Sequence, residues 1–146
     1  MNTEPVRRYA RCFETLDESR LPALLALFSE DARFIDPFNR VAGRAAIGRV
    51  FEHMFQHYPT ARFEILEEVG TAPVFFLRWR FHPHVNTSLQ IEGVSRVQLN
   101  ANGLVDEHCD YWDTGTELYT KLPFLGPLAR WLRRKSTANP SDQIKD

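Results

Sequence analysis

The chain has 146 residues, of which 43% are hydrophobic, 12% aromatic and 25% charged, with a formal net charge of -1. That length fits one domain with its own core, and the near-neutral charge excludes the broad basic field of a nucleic-acid protein. Two cysteines, Cys12 and Cys109, exclude a disulfide framework or a zinc site, and no apolar run reaches the roughly 18 residues of a membrane span.

The first residues, MNTEPVRRYARCFETL, are charged where a secretory signal would be apolar, so the expected setting is reducing and cytoplasmic. Thr3-Glu4-Pro5 predicts a helix start, and Val6, Tyr9, Ala10, Phe13 and Leu16 recur as one apolar stripe. Ser19 caps a second short helix whose buried side is Leu21, Leu24, Leu25, Leu27 and Phe28, and Ser29-Glu30-Asp31 ends it. A short strand, Ala32 to Pro37, stops at a proline that cannot donate to a ladder, and Phe38 to Gly43 reads as a loop. Ile47, Val50, Phe51, Met54, Phe55 and Tyr58 then form the clearest amphipathic helix, closed by Pro59.

From residue 61 the period becomes two. Phe63, Ile65 and Val69 alternate with Arg62, Glu64 and Glu68, and Val74 to His82 is rich in Phe and Trp. Leu89, Ile91, Gly93, Ser95, Val97 and Leu99 share one face of the next strand, and Asn100-Ala-Asn-Gly103 turns it into a last strand, Leu104 to Asp113. Helices followed by a run of antiparallel strands give an α+β pattern with the helices packed on one sheet face. From Thr114 onward, six basic against three acidic side chains leave an acidic body joined to a basic tail. Leu125, Leu128, Trp131 and Leu132 form a short apolar stripe there, and Ser136 onward reads as a polar, frayed end.

This order of elements, with Phe34-Ile35-Asp36-Pro37 after the first strand and Val41-x-Gly43-x-x-Ala46-Ile47 opening the long helix, resembles the nuclear transport factor 2-like superfamily. Within it the chain is most similar to the SnoaL-like polyketide cyclases and ketosteroid isomerase-like proteins. The resemblance covers roughly residues 4–114 and implies a domain over 1–114; composition reads the rest as a basic helical extension over 115–135 and a flexible tail over 136–146. It implies a cone-shaped, curved antiparallel sheet wrapped around the N-terminal helices, with a deep apolar pocket open at one end. Dimerisation through the outer sheet face is expected with it. The fold hosts enzymes, carriers and scaffolds alike.

Asp36 matches the aspartate that moves the proton in ketosteroid isomerases, and a carboxylate facing an apolar pocket has its pKa raised toward a useful range. The same residue also reads as a cap on the loop before Pro37. An ungapped match puts Cys12 where the isomerases have their oxyanion-hole tyrosine, with Tyr9 almost one turn earlier. Matching the strands puts Ser95 where they have a protonated acid. Steroid isomerisation itself is therefore not expected.

On the last strand His108, Asp110 and Trp112 share one face, and Val105, Cys109 and Tyr111 the other. The strand match turns the His108 face inward, where Asp110 can fix the imidazole tautomer. The apolar pattern alone favours the opposite face, which would leave His108 and Asp110 at the surface. His53 and His57 have helical metal spacing but read as a solvated shoulder, and Arg78 and Arg80 read as the outer face.

The expected function is cofactor-free acid–base chemistry on an apolar small molecule, of isomerase, cyclase or dehydratase type. Asp36, His108 and Asp110 are its catalytic candidates, and Tyr9, Cys12, Phe55, Ser95 and Trp112 its ligand-facing candidates. The alternative is a non-catalytic ligand carrier or dimerising scaffold. The tail helix either covers the cone, extends an interface, or touches a membrane surface through Trp131, Arg133 and Arg134.

Overall fold

The computed structural model describes residues 3–84, 89–112 and 138–144. Helix α1, Glu4–Glu14, buries Val6, Tyr9, Ala10 and Phe13, the stripe its spacing predicts, with Pro5 in the first turn where a missing N–H costs nothing. A short 3₁₀ turn, Glu18–Arg20, leads into α2, Leu21–Leu25. The Asp17 carboxylate, rather than Ser19, caps that turn by accepting from Arg20 N–H at 3.0 Å.

Strand β1, Phe28–Ile35, begins four residues earlier than the sequence pattern suggests. The segment from Phe28 to Asp31 is strand and not the end of a helix, because Phe28 pairs with Val105 and fills the core. The expected loop contains a short edge strand β2, Arg40–Ala42, antiparallel to β1. Helix α3, Arg44–His57, follows Gly43, whose φ of 90° suits a residue without a side chain. Strands β3, Arg62–Thr71; β4, Val74–His82; β5, Ile91–Leu99; and β6, Val105–Tyr111, complete the sheet.

The six strands lie in the order β2-β1-β6-β5-β4-β3. All pairings are antiparallel except β1 with β6, so the sheet is mixed. Its inner face and the helices share one apolar core that includes Phe28, Phe34, Phe51, Phe75 and Leu77.

Two bulges reset the alternation that the sequence displays. Ile65 and Glu67 pair with the adjacent residues Trp79 and Arg78, so Leu66 is extra, and Val69 ends 59% exposed rather than inward. Glu107 and Val105 pair with the adjacent Gln98 and Leu99, making Asp106 the extra residue. Val105 and His108 are therefore both buried, although their spacing in a regular strand would put them on opposite faces.

Residues 138–144 are not a loose end. They lie against β2 and α3, with Ala138 buried and Ile144 N–H donating to Arg40 O. An edge strand offers unpaired backbone groups that such a segment can satisfy. The basic helical stripe predicted over 115–135 falls outside the described residues. Among them, no helix is long and apolar enough to cross a membrane.

Candidate active site

Asp36 follows directly on β1. Its Oδ1 accepts from Phe38 N–H at 2.7 Å and Asn39 N–H at 2.6 Å, and the Asn39 side-chain amide donates to Oδ1 and Oδ2 at 3.2 and 3.1 Å. The carboxyl thus caps its own loop and also lines the cavity. Burial, and after it the negative charge of Asp110, pushes its pKa up to about 6 against the opposing pull of those hydrogen bonds.

His108 comes to the cavity from β6 because the bulge at Asp106 turns it inward. Its ring stacks on Phe34 at a centroid distance of 4.8 Å and packs against Phe13 at 5.6 Å. Both nitrogens are engaged. Nδ1 meets the Tyr9 hydroxyl at 2.8 Å, and Nε2 meets Asp110 Oδ1 at 2.7 Å. Asp110 Oδ1 also accepts from the Ser95 hydroxyl at 2.5 Å, and Ser95 Oγ accepts from the Trp79 indole N–H at 2.8 Å.

The directions in this chain follow from chemistry. Burial above all, and then the charge of Asp110, raises the Tyr9 pKa well above the ordinary tyrosine value, so the phenol keeps its proton. Asp110 Oδ1, which already accepts from Ser95, accepts from Nε2–H, and Nδ1 accepts from the Tyr9 hydroxyl. Protons point toward Asp110 from both sides.

Gly93 makes this floor possible. A Cβ there would lie 2.5 Å from the Trp79 ring and 2.9 Å from Trp112 Cβ. Only glycine lets the indole lie across β5 with its N–H on Ser95.

These groups line a cavity of about 390 Å³ whose walls are mainly aromatic, including Phe34, Phe38, Phe63, Trp79, Phe81 and Trp112. Asp36, Ser95, His108, Asp110 and Trp112, all singled out in the sequence, are among its lining residues. Tyr9, Cys12 and Phe55 are not. Tyr9 stands behind His108, Phe55 is buried in the core, and Cys12 is half-buried on α1, where burial raises its thiol pKa.

His53 and His57 of α3 reach the cavity as well, with their rings 4.4 Å apart. Among the described residues no three His, Cys, Asp or Glu side chains gather as a metal site would require.

The SnoaL-like domain model matches residues 6–108. The chain belongs to the SnoaL-like family. SnoaL-like relatives of known structure share its fold at low identity. A proposed isomerase of the family from Agrobacterium tumefaciens is 22% identical, with a TM-score of 0.64 over 75% of this chain and 94% of that one. A proposed SnoaL-like polyketide cyclase from Shewanella putrefaciens is 18% identical, with a TM-score of 0.64 over 82% and 88% of the two chains. A protein with a ketosteroid isomerase-like fold from Catenulispora acidiphila, solved with trimethylamine, is 14% identical, with a TM-score of 0.66 over 82% and 92%. No curated protein matches the chain.

Three contributors to this SnoaL-like site are not evident from sequence pattern. Asn39 is the fourth residue of Asp36-Pro37-Phe38-Asn39, a spacing at which a side chain can reach back, and that is its only local signal. Trp79 and Gly93 become partners only through the β4–β5 register, which pairs them directly.

Proposed function

We propose that this SnoaL-like protein is a cofactor-free acid–base enzyme that takes a proton from an apolar carbon acid and returns it elsewhere, as an isomerase, cyclase or dehydratase does. One observation carries the reading: a buried carboxylate with its pKa near neutrality shares an aromatic cavity with a second carboxylate. Asp36 is the base, because a pKa of about 6 leaves it ionised at pH 7 yet basic enough to take a proton. Phe38, Asn39 and the chain behind Asp110 hold the two acids, while the aromatic walls exclude water and seat the apolar body of the substrate.

His108 spends both nitrogens within the protein, so it exchanges protons with a substrate only through Asp110. Tyr9 ends the chain. Its raised pKa opposes loss of its proton, so it fixes the imidazole tautomer rather than acting as an acid.

The test needs no knowledge of the natural substrate. The protein is incubated in D₂O with an apolar bicyclic ketone such as 2-tetralone, and deuterium uptake beside the carbonyl is followed by NMR. Uptake above the buffer rate, rising with pH through about 6, supports the base assignment. Equal uptake by wild type and Asp36→Asn overturns it.

A non-catalytic ligand-binding or dimerising role is the second reading. It draws on the Ser95 and Trp79 protons, which are spent inside the protein rather than offered to a developing oxyanion. Binding of the ketone without exchange would favour it. Under either reading we propose a homodimer through the outer sheet face, where Val69, Phe76 and Tyr111 are exposed. Light scattering at a monomer mass across concentrations would remove that part.

A further inference from the structure

Asn39 lies between the base and the C-terminal segment, and its two amide atoms serve different partners. Its NH₂ donates to both oxygens of Asp36. Its Oδ1 accepts from Ala138 N–H at 2.8 Å and from Gln143 Nε2 at 3.4 Å. A flipped amide would set its NH₂ against the Ala138 N–H and its oxygen against the Asp36 carboxylate, so the Ala138 contact selects one orientation.

Beyond this bond the segment is anchored to both α3 and β2. Asp142 holds Arg49 of α3 through two hydrogen bonds of 2.6 and 2.9 Å. Gln143 Oε1 accepts from Arg40 N–H at 2.7 Å, and Ile144 N–H donates to Arg40 O at 2.6 Å. The family match ends at residue 108, so the segment itself lies outside the matched region, while its partners Asn39, Arg40 and Arg49 lie within it.

We propose that residues 138–144 form a clasp that positions the Asp36 carboxylate through Asn39, making Asn39 a positioning residue for the base. The functional meaning rests on the reading of Asp36 as the base; the structural claim does not. The clasp keeps two side-chain N–H donors on a carboxylate whose surroundings otherwise favour its protonated form. It thereby sets how much of the base is ionised near neutral pH. The charged group facing Asp36 across the cavity is Asp110 on β6, backed by His108, while His53 and His57 reach the cavity from α3 and Arg40 follows the loop into β2.

The test reads Asp36 directly, by carbon-detected NMR titration of side-chain carboxyls in the protein without substrate. Wild type is expected to titrate near 6. Asn39→Ala removes the side-chain donors, and its midpoint should rise by about one pH unit. Chain termination after residue 137, and Asp142→Ala in the full chain, should shift the midpoint the same way by a smaller amount. The full-length variant keeps the test usable if the shortened chain does not fold.

The pH at which ketone exchange half-saturates should move with the midpoint. An unchanged midpoint in Asn39→Ala overturns the positioning role. A shift in Asn39→Ala with none in Asp142→Ala and the shortened chain overturns the clasp. Because the titration uses no substrate, it still decides for or against the clasp in a protein that fails to exchange the ketone.

Discussion

The two faces of strands β4 to β6 use polar residues in opposite ways. Outward, Arg78, Arg80 and Arg96 face Glu64, Glu67, Glu92 and Glu107 in an interleaved ladder where an Arg has more than one carboxylate within reach. Inward, from the neighbouring positions of the same strands, come Trp79, Ser95, His108 and Asp110, joined in one chain of bonds. The outer ladder is solvated and redundant, so water and neighbouring charges replace any lost partner. The inner chain is buried, and a lost partner leaves a polar group that nothing replaces. Adjacent residues on one strand thus differ sharply in what their removal costs.

The largest expected effect lies beside that inner chain, at Asp36 after β1: Asp36→Asn should lower ketone exchange by about 100-fold or more while raising stability. Folded Asp36 holds its proton to about pH 6, whereas its ordinary value is 3.8, so the folded state binds more protons between those values. Stability therefore falls as pH rises through that window, by an amount on the order of 3 kcal/mol. The asparagine, which cannot ionise, escapes this loss. Urea unfolding at pH 8 and pH 4 should show the variant more stable at pH 8, with the advantage gone at pH 4.

Gly93→Ala should come next. Its Cβ would drive Trp79 off β5 at about 1–3 kcal/mol, with a red shift of tryptophan emission as the indole leaves Ser95. Tyr9→Phe should cost about 1–2 kcal/mol in chemical unfolding by stranding His108 Nδ1. Glu92→Gln on the outer ladder should leave the melting temperature unmoved. A large loss there, or none from Tyr9→Phe, would erase the distinction between the faces.

What is legible in the sequence follows the same division. Stripes at helical spacing locate α1 and α3, since one buried face leaves a strict period, and β5 alternates cleanly from Ile91 to Leu99 because no extra residue interrupts it. The last strand is ambiguous for a physical reason. Val105 belongs to one phase of the alternation and His108 to the next, with Asp106 as the extra residue between them. A period counted across that step averages two phases and assigns neither. Val69 misleads through the bulge at Leu66.

Phe28 looks helical because it continues the spacing of Leu24 and Leu25. Only its pairing with Val105, far along the chain, makes it strand. Asn39 and Ala138 carry no local signal of partnership, since their bond joins segments 99 residues apart.

The parallel pairing of β1 with β6 has a consequence for how this site can change. Phe34 lies opposite His108 and Ile35 opposite Cys109, so stepping forward along either strand advances both toward the same end of the sheet. One further step along each brings Asp36 and Asp110, the two cavity carboxylates among the described residues, to that end together. With either strand reversed, the acids would head toward opposite ends. Their encounter is therefore a property of strand direction and alignment, which loop insertions or drift in the aromatic walls leave intact. The cavity walls of this chain can therefore be recut by substitution while the two acids stay side by side.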